Sequence, residues 1–324
     1  MRTATRLPDR CFKRHRNRGV AVVTALLIVA LATLAVTGVM WRQQMQVRSV
    51  ENQINLAETR WLARGAIDWA RTMLLYDARK SNVDHYGEFW AVPMSDTKVA
   101  DAEDGGLRDG YLSGQIIDEQ SKYNLLNLAL KGEIDETELA HLSALLEVLG
   151  VDTALARPIA QAVADTEMQP TADAETALPK ALPMMLPDDL LRVAGIDAAT
   201  IDRLRDRITC LPRVGTEAIK VNLNTASPEV LHAMVPQLTL QQAQTWVAQR
   251  DQTGIYASDT ANFQTQAKAV GANLEASDLT HVDVQTSFFR VKGSIRYDRA
   301  LVSLEALVYR LAQTQTRVLW YQEY

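Results

Sequence analysis

One mainly apolar stretch lies near the N-terminus, from Val20 to Met40, and contains no charged side chain. A helix of these 21 residues would rise about 31 Å, the thickness of one hydrocarbon core. Trp41 and Arg42 follow it, and aromatic and charged side chains are typical of a membrane interface. The pattern predicts one membrane-spanning helix over residues 20–40.

A helical pattern continues beyond this stretch, because apolar or small residues recur every three or four positions: Val47, Val50, Ile54, Ala57, Trp61 and Gly65. No proline occurs from Val20 to Val92. We predict one helix from Val20 to Leu75, with its first half in lipid and one face of its second half packed on a soluble domain. A separate amphipathic helix after a loop is the alternative, although the segment "WRQQMQVRSVENQ" holds no helix breaker.

Strand patterns lie on both sides of a long helical stretch. The segment "GYLSGQIIDEQSKYNL" predicts a strand and its exit, whereas residues 80–110 are typical of a loop. Near the C-terminus, three strands of an antiparallel meander are predicted from "SFFRVKGSIRY", "ALVSLEALVYRL" and "RVLWYQ", with "YDR" and "AQTQT" as the turns.

The stretch between these strands, residues 121–285, is helical in pattern throughout. Helix-boundary signals occur at Asp135, Gly150, Gly195 and Ser227-Pro228. We predict an α+β fold, in which a large all-α domain is inserted into a frame of one long helix and a small antiparallel sheet. Within the insertion, "KYNLLNLA" and "KVNLNTAS" resemble each other, which indicates two related helical subdomains.

Charge is divided unevenly along the chain. Seven of the 34 basic residues and one of the 39 acidic residues precede Val20, and the whole chain has a formal charge of −5. A basic N-terminus favours the cytoplasmic side of a membrane, so the residues after position 42 are predicted to face the opposite side. The acidic remainder gives no reason to expect a nucleic-acid partner.

Three interpretations of the N-terminal segment are open. A secretory signal has an apolar region of about 7–15 residues before a small-residue cleavage site, but this run is longer and no clean A-x-A site follows it. An uncleaved signal anchor agrees with the hydropathy. A class III, prepilin-type leader is cut after a glycine directly before the apolar run, and Gly19 and Val20 have this arrangement.

The sequence contains none of the motifs G-x-S-x-G, H-E-x-x-H, G-x-x-x-x-G-K-[ST] or G-x-G-x-x-G. Its five histidines form no ligand-spaced pair and are interpreted as histidines without a metal: His15, His85, His141, His232 and His281. Of the two cysteines, Cys11 lies in the basic segment and Cys210 is predicted to be a small buried side chain. A non-enzymatic protein is favoured over a periplasmic hydrolase on a signal anchor.

The segment "VNLNTASPEVL" resembles the opening of helix-hairpin-helix modules, which bind DNA phosphates through backbone N–H groups of a glycine-containing hairpin. The hairpin position here reads "MVPQLTLQQA", without glycine, and residues 121–285 carry 12 basic and 22 acidic side chains. Phosphate binding needs the opposite sign of charge. A scaffold role, with the asparagines capping the bundle, is favoured, and a membrane-anchored DNA-binding protein is the alternative function.

The loop "ADTEMQPTADAE" is rich in carboxylates. Its acidic side chains could supply oxygen ligands to Ca²⁺: Asp165, Glu167, Asp173 and Glu175. The spacing is not that of an EF-hand, and no central glycine is present. A solvated acidic loop is the alternative interpretation.

The chain resembles the K-type minor pseudopilins of type II secretion systems in the order of its segments. These are the basic leader ending at Gly19, "VAVVTALLIVALATLAVTGVMW", "NQINLAETRWLARGAIDWA", "IIDEQSKYNLLNL", "VNLNTASPEVL" and "ALVYRL…VLWYQ". The resemblance spans nearly the whole mature chain. It implies a pilin-like frame with a helical insertion, cleavage between Gly19 and Val20 by the prepilin peptidase, and a non-enzymatic place at the tip of a periplasmic pseudopilus.

On this resemblance the chain divides into five parts. They are a leader (1–19), the transmembrane part of the helix (20–40), its soluble part with the first strands (41–120), the inserted helical domain (121–285) and the C-terminal strands (286–324). The implied partners are the other minor pseudopilins of the tip complex, the major pseudopilin, the prepilin peptidase and the inner membrane, and no nucleic acid is expected.

The resemblance also implies a location and a role. The chain is expected to cross the bacterial inner membrane once, with a cytoplasmic N-terminus and a periplasmic C-terminal domain. It would contribute to the export of folded proteins across the outer membrane.

Two departures from the family pattern concern site residues. The family's acidic stretch reads D-W-x-D-x-D before a proline and G-A-E later, but Ala162 and Val163 stand at the first Asp and the Trp. The positions that match are the candidate ligands of a calcium ion, which is not a required cofactor: Asp165, Glu167 and Glu175. The first mature residue is Val20 where phenylalanine or methionine is common.

The fifth mature position carries Thr24, where most pilins have a glutamate thought to pair with the N-terminal amine of the adjacent subunit. A charge inside the bilayer costs about 2.5–3.5 kcal/mol, so such a glutamate persists only with a partner. The Thr24 hydroxyl is predicted to bond to the carbonyl of Val20 within the helix. Its lack of charge would mark a subunit with no neighbour ahead of it, which is the tip subunit.

Overall fold

The computed structural model describes residues 18–100, 109–167, 179–311 and 313–324. The chain divides into two compact units, Met1–Ala57 and Glu58–Tyr324. Helix α1 (Arg18–Ala78) begins in the first unit and continues into the second. The prediction of one helix without a break after the apolar run is therefore confirmed. Its most apolar window has a mean hydropathy of 2.6, and the helix is long and apolar enough to cross a membrane.

In the second unit, α1 buries one stripe of small and apolar side chains on the sheet. Ala63, Ile67, Ala70 and Leu74 follow one another at helical spacing and are all buried. The same core contains residues of three strands: Leu112, Ile116, Phe289, Val291, Ile295, Leu304, Ala306 and Val308. The predicted packing of one helix face on a soluble domain is confirmed.

Strands β1 (Met94–Ala100) and β2 (Gly110–Asp118) follow α1. The prediction of a loop over residues 80–110 was wrong at β1. This strand lies at the edge of the sheet and pairs with β2 alone, with two register shifts and with Asp96 at φ 43°. An edge strand with bulges lacks the regular alternation of apolar side chains that identifies a strand in sequence.

The first part of the insertion combines short strands with helices, and Asp135 caps its first helix by accepting hydrogen bonds from the N–H groups of Thr137 and Glu138. The predicted end at Gly150 is confirmed, since Gly150 directly follows the C-cap of the first helix and has φ 65°. Gly195 also has positive φ (91°), but it lies in a turn beyond the C-cap Val193. The predicted helix "PDDLLRVAG" is a 3₁₀ helix instead, Pro187–Arg192. The elements are β3 (Tyr123–Asn124), β4 (Ala129–Leu130), β5 (Glu133–Ile134), α2 (Glu136–Val148), α3 (Ala156–Ala164), α4 (Ala198–Leu204) and β6 (Ile208–Thr209).

The second part of the insertion repeats this plan. It comprises β7 (Val221–Asn222), α5 (Pro228–Met234), α6 (Leu240–Thr253), α7 (Thr260–Ala269) and β8 (Val282–Asp283). In each part the opening strand pairs in parallel with the closing strand, β3 with β6 and β7 with β8. The two similar sequence motifs therefore open two subdomains of related design, and the prediction of a purely helical insertion missed the two-residue strands.

The chain then forms β9 (Phe288–Tyr297), β10 (Ala300–Leu311) and β11 (Gln315–Glu323), as the sequence predicted. The five-stranded sheet has the order β1-β2-β9-β10-β11 and is antiparallel throughout. The insertion thus lies between two neighbouring strands, and Asp118 and Phe289 are paired where it leaves and rejoins the sheet. The predicted α+β fold is confirmed.

A second core fills the insertion and is separate from the core under α1. Its buried members run from Tyr123 to Val284, and Cys210 lies among them at 6% exposure. Burial raises the pKa of the Cys210 thiol. The prediction for Cys210 is confirmed.

Candidate functional site

The threonine hydroxyls of the membrane segment are hydrogen-bonded within the helix itself. The Thr24 hydroxyl lies 3.0 Å from the carbonyl oxygen of Val20 and 3.0 Å from that of Ala21. Thr33 and Thr37 donate in the same way to carbonyls one turn back. Because lipid offers no partner for a hydroxyl, such bonds suit a membrane helix. The predicted Thr24 bond is confirmed.

The predicted cleavage junction lies at the start of the described chain. Gly19 and Val20 belong to the first turn of α1, which begins at Arg18. Cleavage between them stays a prediction.

A buried carboxylate, Asp118, stands where the insertion leaves the sheet. One of its oxygens accepts from Thr225 Oγ1 at 2.5 Å and Asn222 Nδ2 at 2.9 Å, and the other from Thr286 Oγ1 at 2.6 Å and Gln120 N at 2.7 Å. Burial raises the pKa of Asp118 to about 6, and the hydroxyl donors oppose this shift. One side chain therefore ties β2 to the second subdomain and to the segment that returns to β9.

An ion pair beside Asp118 ties the end of α1 to the same place. Arg310 Nη2 lies 2.5 and 2.6 Å from the two carboxylate oxygens of Asp84, and Nη1 lies 3.1 Å from Asp77 Oδ2. Asp84 also accepts from the N–H of Thr286 at 2.7 Å. Burial raises the pKa of Asp84 against the effect of Arg310, and burial with the neighbouring carboxylates raises the pKa of Asp77 to about 7.

A second ion pair connects the sheet to the first subdomain. Glu119 is fully buried and accepts from Arg290 Nη2 at 2.6 Å, Thr209 Oγ1 at 2.7 Å and Lys122 Nζ at 2.8 Å. Burial acts to raise the pKa of Glu119, but Lys122 and Arg290 outweigh it, so the pKa is lowered. Glu119 is held as an ionised link between β9 and β6.

Three asparagine side chains act as substitutes for strand backbone. Asn124 exchanges two hydrogen bonds with the backbone of Leu211, donating at 3.0 Å and accepting at 2.8 Å. Asn127 does the same with Ile219 (2.8 and 3.0 Å), and Asn224 with Ala257 (3.0 and 2.8 Å). Asn124 also caps the following 3₁₀ helix. The asparagines of the two motifs therefore brace the subdomains, as the scaffold interpretation predicted.

The turn between α5 and α6 bears on the DNA-binding alternative. Thr239 caps α6 and accepts from Gln242 N at 3.3 Å, while the Gln242 side chain accepts from Thr239 N at 2.9 Å. These N–H groups lie at the helix start, where a helix-hairpin-helix module presents them to a phosphate. Here they are bonded within the chain, which favours the scaffold role.

The acidic loop is described only at its start. Asp165 Oδ1 accepts from Gln161 Nε2 at 3.0 Å and lies 3.9 Å from Lys180 Nζ, and Glu167 Oε2 accepts from Gly132 N at 3.0 Å. Glu175 and Asp173 lie outside the described residues. A calcium site in this loop stays a prediction.

The structure brings together three side chains that the sequence did not connect. His281 Nδ1 lies 3.2 Å from Glu138 Oε1, and His141 Nδ1 lies 3.7 Å from Glu138 Oε2. The sequence interpretation, in which no two histidines are spaced as ligands, missed this cluster because Glu138 and His281 are 143 positions apart. Only the i, i+3 spacing of Glu138 and His141 on α2 was available as a signal.

Comparisons with known proteins agree with this architecture. Two family models, both described as type II secretion system (T2SS), protein K, match residues 121–213 and 221–285. Type II secretion system protein K of Pseudomonas aeruginosa is 29% identical over 91% of this chain and 89% of its own. The protein K of Klebsiella pneumoniae is 25% identical over 94% and 98%.

A solved structure has a similar fold. It is a chain in the crystal structure of the GspK-GspI-GspJ complex from the enterotoxigenic Escherichia coli type 2 secretion system. Its TM-score is 0.67 at 19% sequence identity, over 85% of this chain and 99% of that chain.

Proposed function

Because the chain belongs to the protein K family of type II secretion systems and is a K-type minor pseudopilin, we propose that it caps the tip of the periplasmic pseudopilus. In this role it is an assembly protein to which we assign no reaction. The observation that carries the tip position is the uncharged, internally bonded Thr24.

The membrane segment anchors the chain, and we infer its orientation from charge. Basic residues crowd before Val20, and the body of the chain is acidic. The leader then stays in the cytoplasm and the C-terminal domain faces the periplasm, with one crossing of the inner membrane. Removal of residues 1–19 by the prepilin peptidase makes Val20 the new N-terminus.

The place of the insertion on the sheet supports the tip position. At one end of the sheet α1 is tied to β11, where Arg60 Nε lies 3.0 Å from Glu323. At the other end α1 terminates, and Arg310 contacts Leu74 O at 3.3 Å. The insertion leaves the sheet at this second end, through Asp118 and its bond to Thr286. A subunit stacked beyond that end would meet the insertion.

Thr24 supports the same position through the energetics of the bilayer. Both hydrogen bonds of its hydroxyl stay within α1. The side chain carries no charge that could pair with the terminal amine of a subunit ahead. A tip subunit has no such neighbour, so it loses no contact by lacking the glutamate.

Other minor pseudopilins and the major pseudopilin are the proposed partners. The similar solved chain belongs to a complex named GspK-GspI-GspJ. In the second unit, α1 and the sheet edge expose an apolar groove lined in part by Trp61, Trp69 and Val99, with Trp61 70% exposed. Exposed aromatic side chains of this size are typical of protein interfaces, and we assign this face to a neighbouring pseudopilin.

Calcium is a proposed, non-essential ligand of the acidic loop. Asp165 and Glu167 flank the start of the loop, and both carboxylates are half-buried and face donors of the protein. Carboxylate oxygens suit Ca²⁺. With Glu175, these residues would hold the ion, without a catalytic role.

Replacing Thr24 by glutamate tests the tip position. At the tip the new carboxylate has no partner, so it would add a membrane cost of up to about 2.5–3.5 kcal/mol. We expect lower secretion in a complemented deletion strain, and less of this chain recovered with its partner pseudopilins. Thr24→Val is the matched uncharged control and should behave as the wild type. Equal secretion by all three proteins would contradict a subunit without a neighbour ahead.

A further inference from the structure

The cluster of Glu138, His141 and His281 lies where the two helical subdomains meet. Glu138 and His141 are on α2 of the first subdomain, and His281 directly precedes β8, the closing strand of the second. The two histidine rings meet edge to face, with centroids 4.7 Å apart. Each of the three residues offers one atom that could bind a metal, and these three atoms all lie within 4.8 Å of one another.

Two polar atoms of this cluster are buried without a hydrogen-bond partner. They are Glu138 Oε2 and His141 Nδ1, which face each other at 3.7 Å, too far for a hydrogen bond. The side chains of Glu138 and His141 are only 1% and 7% exposed. Unsatisfied groups cost free energy in a protein interior, so their persistence calls for an explanation.

We propose that Glu138, His141 and His281 bind a divalent transition-metal ion, with Zn²⁺ the best fit, which links the two helical subdomains. Imidazole nitrogen and carboxylate oxygen are zinc ligands at about 2.0–2.2 Å, which places tetrahedral ligand atoms about 3.4 Å apart. Glu138 Oε2 and His141 Nδ1 lie 3.7 Å apart, close to this value. The ion would give both orphaned atoms a partner.

The cluster is accessible from the side of His281. The His281 side chain is 27% exposed, so water can reach the ion there, and the ion itself has a route in. Three protein ligands and one water would complete a tetrahedral site.

The charges of the cluster favour a cation. Burial acts to raise the pKa of Glu138, but His141 and His281 outweigh it and lower the pKa to about 2. Glu138 also raises the pKa of His281, with Asp135 acting in the same direction and Lys220 against it.

A second carboxylate cluster, Asp77, Asp84 and Glu88, does not compete for this role. Arg310 already supplies its positive charge through contacts of 2.5 and 2.6 Å to Asp84. Glu88 is engaged with Trp90 Nε1 at 2.9 Å. The carboxylates of this cluster have partners, whereas the one carboxylate of the histidine cluster, Glu138, leaves one oxygen unpaired.

The test is a titration of the full chain in detergent with Zn²⁺, Co²⁺ and Ca²⁺, after removal of metals by a chelator. We expect one Zn²⁺ per chain, a higher melting temperature with Zn²⁺, and the strong visible absorption of four-coordinate Co²⁺. His281→Gln and His141→Gln should each weaken Zn²⁺ binding by about tenfold or more, with an unchanged circular dichroism spectrum.

Matched controls separate this site from the others. His85→Gln removes a histidine outside the cluster, and Asp165→Asn alters the acidic loop, so both should leave Zn²⁺ binding unchanged. Ca²⁺ binding lost in Asp165→Asn alone would support the loop site without bearing on the histidines. Absence of stoichiometric Zn²⁺ binding by the wild type, or equal affinity in His281→Gln, would overturn the proposal.

Discussion

Replacing Arg310 by methionine should lower the free energy of unfolding by about 3–5 kcal/mol, the usual loss when one partner of a buried ion pair is removed. The variant leaves Asp84 buried at 3% exposure of its side chain with no cation beside it. It also removes the bonds of the guanidinium to the carbonyls of Thr286 and Leu74. The one substitution would therefore weaken the contacts that join α1, the sheet and the insertion.

Urea unfolding of the full chain in detergent, followed by circular dichroism, measures this effect. Arg205→Met is the matched control, because Arg205 pairs with Asp188 at the surface with half of its side chain exposed. Exposed pairs contribute about 0–1 kcal/mol. Adding Asp84→Asn to Arg310→Met should recover part of the loss. Equal losses from Arg310→Met and Arg205→Met would refute the central role of Arg310.

Replacing Gly19 by valine should abolish processing of the leader and, with it, secretion. The prepilin peptidase is expected to cut after a glycine, and a branched side chain at that position would obstruct the scissile bond. On coexpression with the peptidase, the wild-type chain should lose the mass of its first 19 residues, whereas the variant should keep it.

Gly38→Ala is the control for this experiment. Gly38 lies in the same helix, and an added Cβ there meets no atom within 4 Å. The control should be processed as the wild type is. Unchanged processing of the Gly19 variant would contradict cleavage after Gly19 and would favour the interpretation of the N-terminal segment as an uncleaved signal anchor.

The regular parts of the fold could be predicted because their patterns are long. The uncharged run and the spaced residues after it predicted α1, and alternating segments predicted β9 to β11. Strand β1 was missed because "MSDTKVA" is polar and bulged at a sheet edge. The two-residue strands of the insertion are too short to leave a pattern, although the two asparagine motifs marked where β3 and β7 begin.

The polar junction was only partly visible in sequence. The segment around Asp118 was predicted as a strand exit and the segment around Asn222 as scaffold, and the structure shows their side chains bonded at 2.9 Å. Thr286, which donates to Asp118, and Arg310, which donates to Asp84, gave no signal because they come from the other side of the insertion. The cluster of Glu138, His141 and His281 was hidden because His281 joins the other two only when the two subdomains pack together.

The most direct test of the tip position is site-specific photocrosslinking in assembled pseudopili. A photoreactive residue is placed at Val214, which is 54% exposed on the insertion, and another at Trp61 on the apolar groove. The account predicts crosslinks from Trp61 to other pseudopilins and no adduct between two copies of this chain from either position. A ladder of self-crosslinked copies from Val214 would show that the chain repeats along the filament, and it would contradict a single capping subunit.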